Sequence, residues 1–273
     1  MGSTPFAWTH QSGLIDLGAL EDRGYYFSNS IGVNRLGTVI VGWSGGSNFF
    51  SEPTLPVAWI PDKEHKQGAR VPSWKIQALD ISGYGQFSYW LGQTANNFGQ
   101  ITGIAWDNSG NETAFVWNPL AGGTGWKILQ LPVPPEYADY TSTWARGINE
   151  KGEVAGAIWS ATDGLPVLWQ PVDRQRLAYK MTVLGTPPGM PSYSTYPTSI
   201  NDLGDIVGNS YDAEWNPVPV YWSTKNPGSA QFLDFEGYFG VAYKVNNLRM
   251  VAGGYWSDTC PQGCAAAMQF RIK

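Results

Sequence analysis

The stretch SINDLGDIVGNS, residues 199–210, carries the pattern that decides the fold. An apolar residue precedes Asn201, Gly204 follows three residues after the asparagine, and a short apolar run comes next. Asparagine opens turns because its side chain bonds nearby backbone groups, and glycine adopts a positive φ without steric cost. The pattern therefore predicts a β-hairpin whose turn is built from Asn201 and Gly204.

The same pattern occurs five times along the chain. The other copies are GVNRLGTVIVGWS (32–44), TANNFGQITGIAW (94–106), GINEKGEVAGAIW (147–159) and KVNNLRMVAGGYW (244–256). The anchoring asparagines recur with a period near 50 residues, which indicates a repeat architecture; they are Asn34, Asn96, Asn149, Asn201 and Asn246. The fifth copy has Arg249 in place of the glycine, so we expect its turn to be altered.

Two further motifs recur in step with the hairpin. A strand ending in an aromatic residue follows each copy, at residues 57–59, 115–117, 167–169, 220–222 and 268–270. An alternating strand then begins at residues 75, 127, 180 and 231, and a matching copy, LIDLGAL, lies at 14–20. Each repeat thus predicts four strands, which we name the inner strand, the second strand, the Trp strand and the outer strand.

Four-stranded sheets at this period predict an all-β fold, a five-bladed β-propeller that spans residues 1–273 as a single domain. The last repeat lacks an outer strand, so we expect the ring to close by pairing of the N-terminal strand at 14–20 with the C-terminal sheet. PFAW at 5–8 is then a surplus Trp strand. A six-bladed ring or an open solenoid is the alternative.

The run FAWTHQSGLIDLGALEDRGYYFSNSIGVNRLGTVIVGWS, residues 6–44, resembles the bacterial extracellular HAF-repeat family. Units of that family combine an aromatic-ending strand, a Gly-x-x-Asp-Leu-Gly-x-Leu strand and an Ile-Asn-x-x-Gly-x-Val-Val-Gly hairpin. The resemblance covers nearly the whole chain. It implies a secreted or surface-displayed propeller-like module and supplies no catalytic residue.

Composition and charge exclude several classes of partner. The formal net charge is −5 and no run of Lys or Arg occurs, so we expect no nucleic-acid partner. No window has the roughly 18 consecutive apolar residues of a membrane span. The start MGSTPFAWTH lacks the features of a signal peptide. We nevertheless expect a secreted, periplasmic or surface-displayed protein whose leader is absent from this sequence. We also expect a monomer.

The two cysteines, Cys260 and Cys264, form one local pair in the sequence CPQGC. A turn of this kind favours a small disulfide, with free thiols as the alternative, and two ligands are too few for structural zinc. We expect no cofactor. The loop DNSGNE supports one weaker hypothesis, a calcium site on Asp107, Asn108, Ser109 and Glu112, against a plain turn.

Aromatic residues stand in register at the end of the second strand. They are Trp106, Trp159, Tyr211 and Trp256, with Trp43 in the first repeat, and Asp107 and Asp212 are among the polar residues that follow them. An aromatic ring beside a hydrogen-bonding group suits a sugar, whose apolar face stacks while its hydroxyls need polar partners. The alternative is that these rings pack between blades.

The inner strands offer a second candidate surface, at the top of a central channel. Alternation places Gln93, Arg146, Thr198 and Tyr243 in equivalent positions, and Trp144 and Tyr196 face the same way two residues earlier. Arg146 is suited either to an acidic ligand group or to a loop carboxylate.

These residues favour a binding module over an enzyme. With only two histidines, Ser-His-Asp chemistry and histidine metal clusters are disfavoured. We predict a ligand-binding propeller for carbohydrate or a small molecule. The alternatives are a glycoside hydrolase or lyase that uses carboxylates, and an adhesion or scaffold module that binds protein.

Overall fold

The computed structural model describes residues 4–46, 52–62, 73–121, 125–233, 239–257 and 260–269. Within these ranges the chain is all-β, and every strand pair is antiparallel. Contacts divide it into two compact units, Met1–Gln130 (unit 1) and Leu131–Lys273 (unit 2). None of its described helices is long and apolar enough to span a membrane.

Unit 1 contains a two-stranded hairpin and two four-stranded sheets among its described residues. The hairpin pairs β1 (Phe6–Thr9) with β2 (Gly13–Asp16). Sheet 1 runs in the order β3 (Phe27–Val33), β4 (Ile40–Gly45), β5 (Thr54–Pro61) and β6 (Trp74–Ala78). Sheet 2 runs in the order β7 (Phe87–Ala95), β8 (Ile101–Asp107), β9 (Glu112–Pro119) and β10 (Trp126–Gln130). A 3-10 turn at Glu21–Arg23 precedes β3.

Unit 2 contains three sheets in the same repeating order. Sheet 3 consists of β11 (Ser142–Ile148), β12 (Val154–Trp159), β13 (Gly164–Pro171) and β14 (Tyr179–Val183). Sheet 4 consists of β15 (Tyr196–Ile200), β16 (Asp205–Tyr211), β17 (Pro217–Ser223) and β18 (Asn226–Phe232). Sheet 5 consists of β19 (Phe239–Val245), β20 (Met250–Ser257) and β21 (Cys260–Gln269). The 3-10 turns Pro135–Tyr137 and Ser192–Ser194 precede β11 and β15.

The predicted four-stranded antiparallel repeat is therefore confirmed in sheets 1 to 4, whereas a count of five complete blades is not. The predicted pairing of residues 14–20 with the last sheet is wrong: β2 pairs with β1, and sheet 5 has three strands among the described residues. A short turn links β1 to β2, and closing a short loop costs less conformational entropy than closing one that spans the chain.

Each anchoring asparagine caps its own turn. Asn201 Oδ1 accepts hydrogen bonds from the backbone N–H groups of Leu203 (3.0 Å) and Asp205 (2.8 Å). The corresponding two bonds form at Asn96, Asn149 and Asn246, whereas Asn34 Oδ1 accepts from the N–H groups of Thr38 and Val39. The glycine of the turn has the positive φ that the pattern requires, 86° at Gly204.

The turn of the fifth copy keeps this geometry, so the expected alteration is wrong. Arg249 takes the left-handed conformation itself, with φ 59°. Its Nε donates to Asp205 Oδ2 at 3.0 Å, an ion pair with a carboxylate that is almost fully buried. A left-handed non-glycine residue costs about 1–2 kcal/mol, and this charge-assisted bond offsets that cost.

The amide of the same asparagine links one sheet to the next. Asn149 Nδ2 donates to Asn201 O at 3.0 Å, and Asn201 Nδ2 donates to Asn246 O at 2.9 Å. In unit 1, Asn34 Nδ2 approaches Asn96 O at 3.5 Å. Both ends of the asparagine amide are therefore used, because its oxygen closes the turn and its nitrogen joins adjacent repeats.

The Trp strands supply the core. Their terminal tryptophans are fully buried, as predicted; they are Trp59, Trp117, Trp169 and Trp222. Each indole N–H donates to a backbone oxygen just after the preceding outer strand, at Gly18, Asp80, Pro132 and Gly185 respectively. The N-terminal segment therefore packs on sheet 1 in the same way that the outer strand of one repeat packs on the next sheet. Leu17 and Leu20 belong to the hydrophobic core around Trp59.

Every inner strand has a β-bulge three residues before its asparagine. The bulged residues are Ile31, Gln93, Arg146, Thr198 and Tyr243. The predicted equivalence of the last four is confirmed, although a bulge rather than simple alternation produces it. Bulges leave one residue outside the ladder and redirect its side chain. Neighbouring inner strands also pack closely: a Cβ on Gly147 would lie 3.2 Å from the Ser199 Cα.

Candidate ligand-binding site

The aromatic residues that the sequence places in register are all half-buried, and each lies near the end of a second strand. This holds for Trp43, Trp106, Trp159, Tyr211 and Trp256. The Trp106 indole donates to Glu112 Oε1 at 2.8 Å, within its own hairpin. Trp159 and Tyr211, both in unit 2, each contact a different predicted site residue: Trp159 contacts Trp144, and Tyr211 contacts Tyr196.

Sheets 3 and 4 carry equivalent aromatic pairs. In sheet 3 the ring centroids of Trp144 and Trp159 lie 4.5 Å apart, with the planes tilted by 60°. In sheet 4 the rings of Tyr196 and Tyr211 stack with centroids 6.3 Å apart and planes 23° apart, and their hydroxyls lie at 3.4 Å. Burial and the bond with Tyr211 raise the pKa of Tyr196. The Tyr196 hydroxyl therefore stays protonated at neutral pH.

Two aspartates predicted as ligand-binding residues close loops instead of projecting from them. Asp107 Oδ1 accepts from the N–H groups of Ser109 (2.8 Å) and Asn111 (2.9 Å), and its Oδ2 accepts from Asn111 Nδ2 (3.0 Å). Asp212 makes the same three bonds, with Glu214 N (3.0 Å), Asn216 N (2.8 Å) and Asn216 Nδ2 (3.1 Å). These bonds lower the pKa of both carboxyls.

The two loops differ at their fourth residue. Gly110 occupies that position in one loop with φ 82°, whereas Trp215 occupies it in the other with φ 64°. A bulky residue is a steric outlier in this region, at a cost of roughly 1–3 kcal/mol. The Trp215 side chain is nevertheless 67% exposed, so burial of its ring does not compensate for the strain.

Trp215 completes a continuous aromatic surface. Its ring lies 6.1 Å from Tyr211 and 6.3 Å from Tyr193, centroid to centroid, and Tyr193 is 48% exposed. We call Tyr193, Tyr196, Tyr211 and Trp215 the aromatic platform. It presents ring faces and phenolic hydroxyls side by side, which is the chemistry a sugar ring needs.

Asp163 ties three segments of unit 2 together beside Tyr193. It accepts from Tyr140 Oη (2.7 Å), Ser192 Oγ (2.5 Å) and the Gly164 N–H (2.9 Å). Partial burial alone would raise the pKa of Asp163, but the bonds from Ser192, Tyr140 and Gly164 outweigh burial and lower it. The bond to Asp163 raises the pKa of Tyr140 to about 12.

This carboxylate predicts a small loss of stability in acid. Because the pKa of Asp163 is lower in the folded chain than in the unfolded one, its contribution is complete above about pH 4 and disappears as the pH falls through the folded value. We expect at most about 1 kcal/mol, since the group is partly solvated. Urea unfolding at pH 6 and pH 3 measures it, and Asp163→Asn should show a smaller difference between the two. An equal difference in both proteins would contradict this assignment.

The bulged residues Arg146 and Tyr243 add a polar surface in unit 2. The Arg146 Cζ lies 3.8 Å from the centroid of the Trp144 ring, a cation–π contact. Tyr243 is 56% exposed. The structure therefore joins Trp144, Trp159 and Arg146 in one cluster and Tyr196 and Tyr211 in another.

The calcium and disulfide hypotheses gain no support. Asp107 is occupied by its loop bonds and Glu112 by Trp106, and the described residues contain no group of three metal-ligating His, Cys, Asp or Glu side chains. Cys260 and Cys264 both lie in β21 rather than in a turn. The described residues include no disulfide; the cysteine side chains lie outside the described part, so the bridge stays a prediction.

Sequence reasoning missed Trp215 and Asp163. The signal for Trp215 was present, because DNSGN at 107–111 aligns with DAEWN at 212–216 and places tryptophan against glycine. Asp163 gave no comparable signal, since its partners Tyr140 and Ser192 are distant in sequence.

Unit 1 offers a different cavity, an apolar groove of about 270 Å³ that includes Phe6, Trp8, Ile31 and Val33 in its lining. None of the described residues that line it is charged. A sugar would find few polar partners in this groove.

No protein-family model matches this chain, and no curated protein matches it. Among solved structures, it is similar to a Trypanosoma rangeli sialidase in complex with the inhibitor DANA, with 10% identity and a TM-score of 0.45 over 92% of this chain. The match covers 47% of the sialidase, so this chain spans about half the length of that protein.

Two further solved structures are similar. A variant of AofleA from Arthrobotrys oligospora matches with 12% identity and a TM-score of 0.45 over 88% of this chain and 71% of that one. A protein of unknown function from Dyadobacter fermentans matches with 14% identity and a TM-score of 0.47 over 89% and 82%. Likeness at this level identifies neither a family nor an activity, so the site is interpreted from its own residues.

Proposed function

We propose that this chain is a repeat protein of the β-propeller type that binds carbohydrate on the aromatic platform of unit 2. The repeated four-stranded sheets, the close packing of inner strands and the asparagine links between sheets support the architecture. The exposed rings and hydroxyls of the platform support the ligand class, because pyranoses combine an apolar face with a rim of hydroxyls.

Trp215 is the observation that carries the proposal. A structural role does not account for an exposed tryptophan in a strained conformation where the matching loop has glycine. Strain of this kind is retained where function requires the side chain. Its ring, supported by Tyr193 and Tyr211, is positioned to stack on a ligand.

Binding is favoured over glycoside hydrolysis by the carboxyl groups of the described residues. A glycosidase needs a general acid with a raised pKa. Three described carboxyls have a shifted pKa, and hydrogen bonds lower the pKa in each case; they are Asp107, Asp163 and Asp212. They stay ionised at neutral pH, so none of the three supplies the proton that a general acid donates.

A glycan array tests the proposal. We expect the wild-type protein to bind at least one class of glycan, and Tyr193→Ala to bind it at least about tenfold more weakly, because truncation of a platform ring removes stacking area. The matched control is Tyr26→Ala, which removes a tyrosine 69% exposed on unit 1. It should bind as wild type does.

Circular dichroism and thermal melts should show that both variants are folded. Absence of glycan binding by the wild-type protein, or an equal loss in both variants, would contradict the proposal. A carbohydrate-binding role agrees with the predicted extracellular location, which stays a prediction.

A further inference from the structure

Three neighbouring inner strands bring two cationic side chains toward one surface in unit 2. Arg146 is the bulged residue of β11, and Lys244 directly follows the bulged residue of β19. Strand β15 contacts both strands. Its own bulged residue, Thr198, donates from Oγ1 to Ala242 O at 2.8 Å, which fixes β15 against β19. The bulges of the three strands therefore lie side by side.

The Trp144 ring orients the guanidinium of Arg146. The Arg146 Cζ lies over the ring, 3.8 Å from its centroid, which is a cation–π contact. A guanidinium held in a fixed plane presents its N–H fork to planar anions in a bidentate manner, which a lysine cannot do. The buried Trp144 Nε1–H beside it makes no hydrogen bond within the described ranges.

Lys244 supplies a second positive charge. Its side chain is exposed overall, yet crowding around the ammonium and the charge of Arg146 lower the pKa of Lys244. Among the described residues, no carboxylate is paired with this ammonium. Two like charges near each other repel, and an anion bound between them relieves that repulsion.

The cationic surface adjoins the aromatic platform through Tyr196. The charge of Arg146 acts on the Tyr196 hydroxyl and partly opposes the larger effects of burial and of Tyr211 on its pKa. Tyr196 in turn stacks on Tyr211. Arg146 therefore lies on the Tyr196 side of the platform.

We propose that the site selects acidic saccharides, with the carboxylate or sulfate of the sugar bound by Arg146 and Lys244 while the ring stacks on the aromatic platform. This inference rests on the proposed carbohydrate function and names its ligand class. Charge-assisted bonds to the anion supply the selectivity, and the platform supplies binding that does not depend on charge.

Matched ligands separate the two contributions. The probes are a trigalacturonate, its methyl ester, a neutral galactan oligosaccharide and its sulfate ester, each titrated by calorimetry. We expect the wild-type protein to bind each acidic probe at least about tenfold more tightly than its neutral counterpart. Tighter binding of the galacturonate identifies the carboxylate as the preferred group, and tighter binding of the sulfate ester identifies sulfate.

The variants are Lys244→Gln and Arg146→Gln, with Lys180→Gln as the control. Lys180 is an exposed lysine on β14, so its replacement changes the net charge equally at a distance from the bulges. We expect Lys244→Gln to remove most of the preference for the acidic probes and to leave binding of the ester unchanged. Lys244 is exposed, so this variant should fold even if Arg146→Gln does not.

Two results would overturn the inference: equal affinity of the wild-type protein for acid and ester, or an undiminished preference in Lys244→Gln. Either one leaves the carbohydrate function standing if the neutral probes still bind and Tyr193→Ala weakens them. Failure of the wild-type protein to bind any probe or any glycan on the array counts against the carbohydrate function itself.

Discussion

Replacement of Trp215 by glycine should abolish glycan binding without lowering the stability of the protein. Glycine suits φ 64°, as Gly110 does in the matching loop, so the variant gains up to about 1 kcal/mol from relief of strain. Binding should weaken at least about thirtyfold, because the most exposed ring of the platform is lost and a tryptophan anchor contributes about 2 kcal/mol or more. Thermal melts and array binding, run on the same sample, measure both effects.

Two controls accompany this variant. Trp8→Ala removes another tryptophan, 65% exposed on unit 1, and should leave glycan binding unchanged. Gly110→Trp makes the reciprocal change and should cost about 1–2 kcal/mol, since it introduces the same left-handed strain. Loss of stability in Trp215→Gly together with retained binding would show that Trp215 is a structural residue.

The second large effect is expected from Asn201→Asp, which should destabilise unit 2 by about 3 kcal/mol or more. The substitution keeps an oxygen to cap the turn and removes only the amide donor. Asn201 Nδ2 donates to Asp205 Oδ2 and to Asn246 O, each at 2.9 Å. The new carboxylate could donate neither to the Asn246 carbonyl oxygen nor to the buried Asp205 carboxylate, and it would repel that carboxylate even though Arg249 and Tyr221 donate to it.

Asn246→Asp is the matched control. Asn246 Oδ1 caps its turn through Leu248 N (3.0 Å) and Met250 N (2.9 Å), and Asn246 is exposed. Its amide nitrogen makes no hydrogen bond within the described part of the chain. We expect a cost within about 0.5 kcal/mol. Equal losses in urea unfolding of the two variants would contradict a link between sheets through Asn201.

Local chemistry made the repeat predictable. An asparagine followed three residues later by glycine, as at Asn201 and Gly204, favours a hairpin turn. The amide side chain bonds backbone groups within five residues, and the glycine has no Cβ to oppose a positive φ. The buried tryptophans, such as Trp169, were also predictable, since an aromatic at the end of an apolar strand has one favourable place in a layered sheet. The positions of the hairpins and Trp strands followed from these signals.

Other features depended on which segments meet in space. The sequence indicated an altered turn at Arg249, yet the contact with Asp205 stabilises the usual turn. The sequence likewise indicated that residues 14–20 pair with the C-terminal sheet, yet β2 pairs with β1. In both cases the outcome follows from competition between partners, and a pattern within one segment contains no information about that competition.

By itself the sequence determined the hairpin turns, the four-strand order and the aromatic register, because these depend on backbone conformation and on side chains a few residues apart. Only the tertiary structure decided which aromatics form a surface, which carboxylates are consumed by their own loops, and that a strained Trp215 is held between Tyr193 and Tyr211. Those outcomes depend on distances between residues of different strands and loops. Such distances are set by packing of whole sheets, in which many weak contacts act together.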